Sequence, residues 1–155
     1  MIVIYHCYGG THSSVVAAAI HTNKLPLNRL PTTTELKNLP FYDKVPPELI
    51  GTPFFYGTDK KNNRIYFLGM KKAENLNKRV IYSLLKIENI PSEKILLINT
   101  LKYINIWVRI GGFFSRRLGI IKPGRNLTIY GIKKNYNKFV DLVKNTRNKI
   151  GIAES

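Results

Sequence analysis

The densest chemistry in this sequence lies in nine consecutive residues, His6-Cys7-Tyr8-Gly9-Gly10-Thr11-His12-Ser13-Ser14. Cys7 is the only cysteine, so it forms no disulfide within the chain and stands as a thiol. The paired glycines let the backbone curl so that successive N–H groups point inward. Ser13 and Ser14 are residue types that open helices. A curled glycine loop feeding a helix N-terminus is a cradle for a phosphate-sized anion, with Gly9, Gly10, Thr11, Ser13 and Ser14 as candidate donors. In that setting Cys7 is the candidate nucleophile and His12 the candidate acid or base. A plainer alternative stands beside this one: a tight turn capped by Ser13 or Ser14, with Cys7 a small buried core residue.

Several named motifs can be tested against the loop. A nucleotide-binding P-loop ends in Gly-Lys-Ser/Thr, and no lysine is present, so that mode of ATP binding is excluded. Gly-Gly-Thr-His resembles the zinc-binding start of aspartoacylase-like carboxypeptidases, but the glutamate they require three residues after the histidine is Val15 here. His6, Cys7 and His12 match no standard zinc spacing and lack a fourth ligand, so no metal is assigned. The loop is most similar to the phosphate loop of low-molecular-weight protein tyrosine phosphatases, Cys-x5-Arg-Ser at the end of the first strand. Cys7, Gly9, Ser14 and Ala17 fall in corresponding places, whereas the arginine position holds Ser13. The resemblance implies phosphoester chemistry on Cys7, with an arginine supplied from elsewhere.

The candidate source is the stretch holding Arg109, Arg116, Arg117 and, after Pro123-Gly124, Arg125. Guanidinium forks match phosphate geometry better than ammonium groups do, so Arg116 and Arg117 are the candidate charge clamp. The whole chain carries 25 lysines and arginines against 9 acidic residues, a net +16 that attracts phosphorylated ligands and polyanions. Scattered lysines beside many asparagines and isoleucines also arise from AT-rich coding, and arginines at a helix end also serve its dipole.

The elements must bring these groups together. Ile2-Val3-Ile4-Tyr5 reads as a buried first strand ending at His6-Cys7, and Val15 to Ile20 as an alanine-rich helix. Residues 26–53 are a proline-rich connection with one short helix from Thr32 or Thr33 to Leu39. Phe54-Phe55-Tyr56 and Arg64 to Leu68 flank a polar turn and predict a β-hairpin. The spacing of Leu76, Val80, Ile81, Leu84 and Leu85 predicts a helix over 75–88, followed by a strand at Ile95 to Asn99. Ile104 to Leu118 reads as a helix broken at Gly111-Gly112, Leu127 to Gly131 as a last strand, and Phe139 to Ile150 as the face of a C-terminal helix.

Alternation of this kind predicts a single α/β domain over 1–155. Its mainly parallel sheet has helices on both faces, a Rossmann-like three-layer sandwich, plus the hairpin. Ligands in such folds bind beyond the carboxyl ends of the strands, where the first loop falls. With 44 % hydrophobic residues the chain is not disordered. It has no run long enough to span a membrane and no secretory leader pattern, so a cytoplasmic protein with no membrane partner is expected.

Residues 6–14, Phe41-Tyr42-Asp43, Tyr66 to Gly69, Arg109 to Gly119 and Tyr130-Gly131 together resemble domain-of-unknown-function family 3189, small proteins of spore-forming Gram-positive bacteria. The resemblance implies a small cytoplasmic single-domain protein and no particular reaction. The residues themselves point to a phosphate- or nucleotide-type ligand, with phosphoester hydrolysis or transfer as the chemistry. The alternative is a non-enzymatic nucleic-acid-binding or protein-interaction module. Cofactor and oligomeric state have no sequence signal.

Overall fold

A computed structural model describes residues 1–152. The first strand, β1 (Ile2–Cys7), lies inside the sheet because both its faces are apolar: Val3 and Tyr5 enter the main core and Ile4 a smaller one on the other side. Next come α1 (Ser13–His21), the short α2 (Thr33–Asn38), and the hairpin β2 (Phe54–Thr58) and β3 (Arg64–Gly69). They are followed by α3 (Glu74–Ile87), β4 (Ile95–Asn99), α4 (Ile106–Arg117), α5 (Ile121–Lys134) and α6 (Tyr136–Lys149). The strand order is β2-β3-β1-β4, with β1 parallel to β3 and β4 and β2 antiparallel to β3. The result is an α/β fold with a four-stranded, mostly parallel mixed sheet.

The sheet's two faces are covered unequally. Every residue of α1 is buried, and its alanines let it lie close on β1 and β3 beneath α6. Ile129 and Ile132 of α5 and Phe139 and Val143 of α6 complete that core. The other face carries a smaller buried apolar cluster, Ile4, Leu68 and Met70, with Ile81 of α3 packed against it. The parallel strands stand in the order β3-β1-β4, so the strand order reverses between β1 and β4.

Two sequence expectations are corrected here. Leu127 to Gly131 is not a strand; it lies within α5. The β-forming residues Leu, Thr, Ile and Tyr yield to packing, because small residues at Gly124, Thr128 and Gly131 let α5 press against α4. A Cβ added at Gly111 would come within 2.6 Å of the Gly124 carbonyl oxygen and the Thr128 nitrogen. Pro123 sits in the first turn of α5, where its missing N–H has no helical acceptor to lose. The Gly111-Gly112 pair does not break α4, which runs without interruption from an N-cap at Asn105, whose side chain accepts the Val108 N–H at 3.2 Å. The glycines serve close approach of helices, not chain breakage.

Candidate functional site

The loop after β1 is fastened to the end of β3. Met70 N–H donates to the Cys7 carbonyl and Lys71 N–H to the Tyr8 carbonyl, both at 2.9 Å. Gly10 adopts φ +66°, and a Cβ there would lie 2.6 Å from the Gly69 nitrogen, so only glycine fits. This fold of the loop turns the Gly10 N–H onto Cys7 Sγ at 3.1 Å, and Ser14 Oγ lies 3.2 Å from the same sulfur. Cys7 is buried. No side chain caps the N-terminus of α1, although Ser13 and Ser14 are its first residues. Their hydroxyls are engaged elsewhere. Ser13 Oγ lies 2.9 Å from Thr100 Oγ1, which donates to the His6 carbonyl at 2.9 Å, while Thr11 Oγ1 donates to the Phe41 carbonyl at 3.2 Å.

His12 leads to a second group of residues. Its Nε2 lies 3.1 Å from Asp43 Oδ1, and the Tyr42 ring meets the imidazole edge-on at 5.3 Å. Asp43 N–H in turn donates to the Thr11 carbonyl at 3.0 Å, which locks the 41–43 segment to the loop. Phe41 and Asp43 both take positive φ in making this turn. The Asp43 carboxylate is buried and also accepts the Ser115 hydroxyl at 2.7 Å and Arg125 Nε at 3.1 Å. Burial pushes this carboxyl up, but the bonds from His12, Ser115 and Arg125 outweigh burial and hold it at about 2. Ser115 donates to the carboxylate and not to the histidine, so this is no serine–histidine–aspartate relay. Asp43 is a positioning group: it fixes the imidazole through Nε2 and leaves Nδ1 facing the backbone of α4, where a Cβ on Gly112 would lie 3.7 Å away.

The arginines divide by role. Arg116 donates to the carbonyls of Asp43, at 3.4 Å, and Val45, so it braces the segment that carries Asp43. Arg117 lies over the Phe113 ring, 5.9 Å from its centroid. Neither touches residues 6–14. Arg125, part of the candidate arginine stretch but not chosen as the clamp, is the guanidinium that reaches the His12–Asp43 pair.

His6 and Cys7 point to opposite faces of the sheet, as alternation along a strand requires. The His6 ring is fully buried, and neither nitrogen has a hydrogen-bond partner among the described residues. Its Nε2 faces Glu74 Oε1 at 3.9 Å, while Lys78 and Asn99 each donate to that carboxylate at 2.6 Å. Burial pushes the imidazole down to about 4. Among the described residues no cluster of three histidines, cysteines or carboxylates could hold a metal ion. His21 is structural: its Nδ1 meets the Tyr5 hydroxyl at 2.7 Å and its Nε2 meets Asp59 at 3.3 Å. A cavity of about 530 Å³ lies near His21, at the end of the sheet away from the loop, between Asp59, Lys60 and Arg147.

Three partners of this site had no local signal in the sequence. Asp43 lies 31 residues from His12, and Ser115 lies 72 residues from Asp43. Thr100 reaches the loop from the end of β4. Only their arrival at one sheet edge reveals them.

Fold and loop together define a small α/β protein in which a glycine turn joins a central parallel strand to an uncapped helix. The chain belongs to the family described as protein of unknown function, DUF3189, whose model matches residues 2–148. Neither a curated protein nor a solved structure matches it. Among the described residues no helix is long and apolar enough to cross a membrane.

Proposed function

We propose that residues 6–14 bind a phosphate-type anion and that the protein acts on a phosphorylated small molecule or nucleotide. The reading treats the fold as Rossmann-like, with its ligand at the carboxyl ends of β1 and β4, where the strand order reverses. The observation that carries it is the Gly10 N–H directed at Cys7 Sγ beside a helix N-terminus that no side chain caps. Because the hydroxyls of Thr11, Ser13 and Ser14 meet internal partners, the anion is held by backbone N–H groups of the loop and first helical turn. Gly9 and Gly10 shape that cradle. Arg116 and Arg117 supply positive potential from α4. In the chemical step the Cys7 sulfur attacks phosphorus, an S–P bond forms, and the P–O bond to the leaving alcohol breaks. His12 delivers a proton to the departing oxygen, and water then cleaves the S–P bond to release phosphate.

A thermal-shift panel of phosphorylated metabolites, run on the wild type and on Cys7→Ser, tests this. A stabilising phosphorylated compound, with turnover abolished in Cys7→Ser, is the expected result. No stabilisation by any member rejects the anion site, and binding with unchanged turnover in Cys7→Ser rejects the nucleophile.

A further inference from the structure

Between Glu93 and Asp141 the chain has no acidic residue and ten lysines and arginines. This stretch forms β4, α4, α5 and the start of α6, and part of it is apolar on the wrong side. The inward positions of α4 are Val108, Gly111 and Ser115. The opposite, solvent-facing stripe is Ile106, Ile110, Phe113 and Arg117, at the i, i+4, i+7, i+11 spacing of one helix face. Ile106 is 59 % and Phe113 47 % exposed. The stripe runs toward the turn between α4 and α5, where Leu118, Ile120 and Ile121 are each 43–51 % exposed around Gly119. Trp107 and Tyr130 stack edge to face at 5.6 Å and are both exposed. Arg109, Arg117 and Lys122 stand exposed or half-exposed among these groups, whereas Arg116 and Arg125 are held by the 43–45 segment.

A soluble helical hairpin normally turns polar residues outward; this one turns out aliphatic side chains ringed by cations. That combination fits one class of surface, an anionic lipid bilayer, where the apolar groups enter the headgroup boundary and the cations meet lipid phosphates. A second copy is disfavoured because it would bring two acid-free, cationic faces together. A nucleic acid offers phosphates but no apolar layer for four exposed isoleucines and a leucine. We infer that the α4–α5 hairpin docks the protein on anionic membrane surfaces, lying on the bilayer without crossing it. This does not depend on the backbone cradle of residues 6–14, although Arg117 of this face also lends that cradle positive potential.

Trp107 is the only tryptophan, so its fluorescence reports this face alone. The full-length protein is mixed with vesicles of phosphatidylcholine or of phosphatidylcholine with one-third phosphatidylglycerol. A blue shift of Trp107 emission and co-sedimentation with the anionic vesicles, weaker by about tenfold or more on neutral ones, are expected. The double variant Ile120→Ser, Ile121→Ser, with its melting temperature checked, should lose binding by about tenfold or more. Cys7→Ser should bind vesicles as the wild type does. No binding to anionic vesicles overturns the inference. So does equal binding by the folded double variant, which would mark mere adsorption of a cationic protein. Binding to duplex or single-stranded oligonucleotides with none to vesicles also overturns it.

Discussion

His12 and His6 sit six residues apart at the same end of the sheet, both nearly buried, and their surroundings could hardly differ more. His12 looks onto Asp43, a carboxylate that also receives Ser115 and Arg125. His6, on the opposite face, has two nitrogens with no hydrogen-bond partner among the described residues, with Glu74 held beyond hydrogen-bond reach by Lys78 and Asn99. The contrast follows from how many elements converge. The loop, the 41–45 segment, α4 and α5 all meet at His12, so polar groups there satisfy one another. At His6 the facing groups are Glu74 and Lys78 of α3 and Asn99 of β4. A buried ring in a satisfied network is held in one orientation, which a group that handles protons needs. A buried ring without partners is a stability liability.

The largest test of this contrast is Asp43→Ala. It leaves Arg125, Ser115 and His12 without their shared acceptor, and should lower stability by about 3–5 kcal/mol. In a domain of this size that is a drop of about 8–15 °C in melting temperature. His12→Leu should cost less, about 2 kcal/mol, because Asp43 keeps two of its donors. A loss below the experimental error in both variants would show that the network is not formed in solution.

Acid sharpens the comparison next. His6 and His21 are both pushed by burial to about 4, below their ordinary value of 6.5. Between those values the unfolded chain binds protons that the folded chain refuses. Stability is therefore complete above pH 6.5 and falls as the pH drops toward 4. Asp43, held at about 2, keeps its stabilising contribution until the pH falls through the range from 3.8 to 2. Denaturant unfolding at pH 7, 5.5 and 4 measures this. The smallest effect is His6→Leu, expected to be neutral or stabilising by about 1 kcal/mol at pH 7, and to flatten part of the acid-induced loss. If His6→Leu destabilises as much as His12→Leu, the distinction between the two histidines is void.

Much of the frame was legible in the sequence. Ile2 to Tyr5 announced the central strand, the polar turn at 59–63 announced the hairpin, and the spacing of Val80, Ile81, Leu84 and Leu85 announced α3. The role of Leu127 to Gly131 was not, because a β-branched and aromatic run is a strand signal only until glycines at 111, 124 and 131 bring two helices into backbone contact. The site was half legible. Cys7, Gly10 and the helix start are local, so the loop could be read directly. The partners of His12 come from three distant segments, and no local pattern announces a contact that tertiary packing creates. Of the two arginines expected to serve the loop, Arg116 also braces the neighbouring segment, donating to the backbone carbonyls of Asp43 and Val45.

The central claim is that backbone amides at the start of α1 hold an anion. The most direct measurement is a nitrogen–proton correlation spectrum titrated with inorganic phosphate at constant ionic strength. The account predicts saturable shifts at the amides of Gly9 to Val15, with smaller changes elsewhere. Shifts spread over the lysine-rich surface, with those seven amides unmoved, would contradict it.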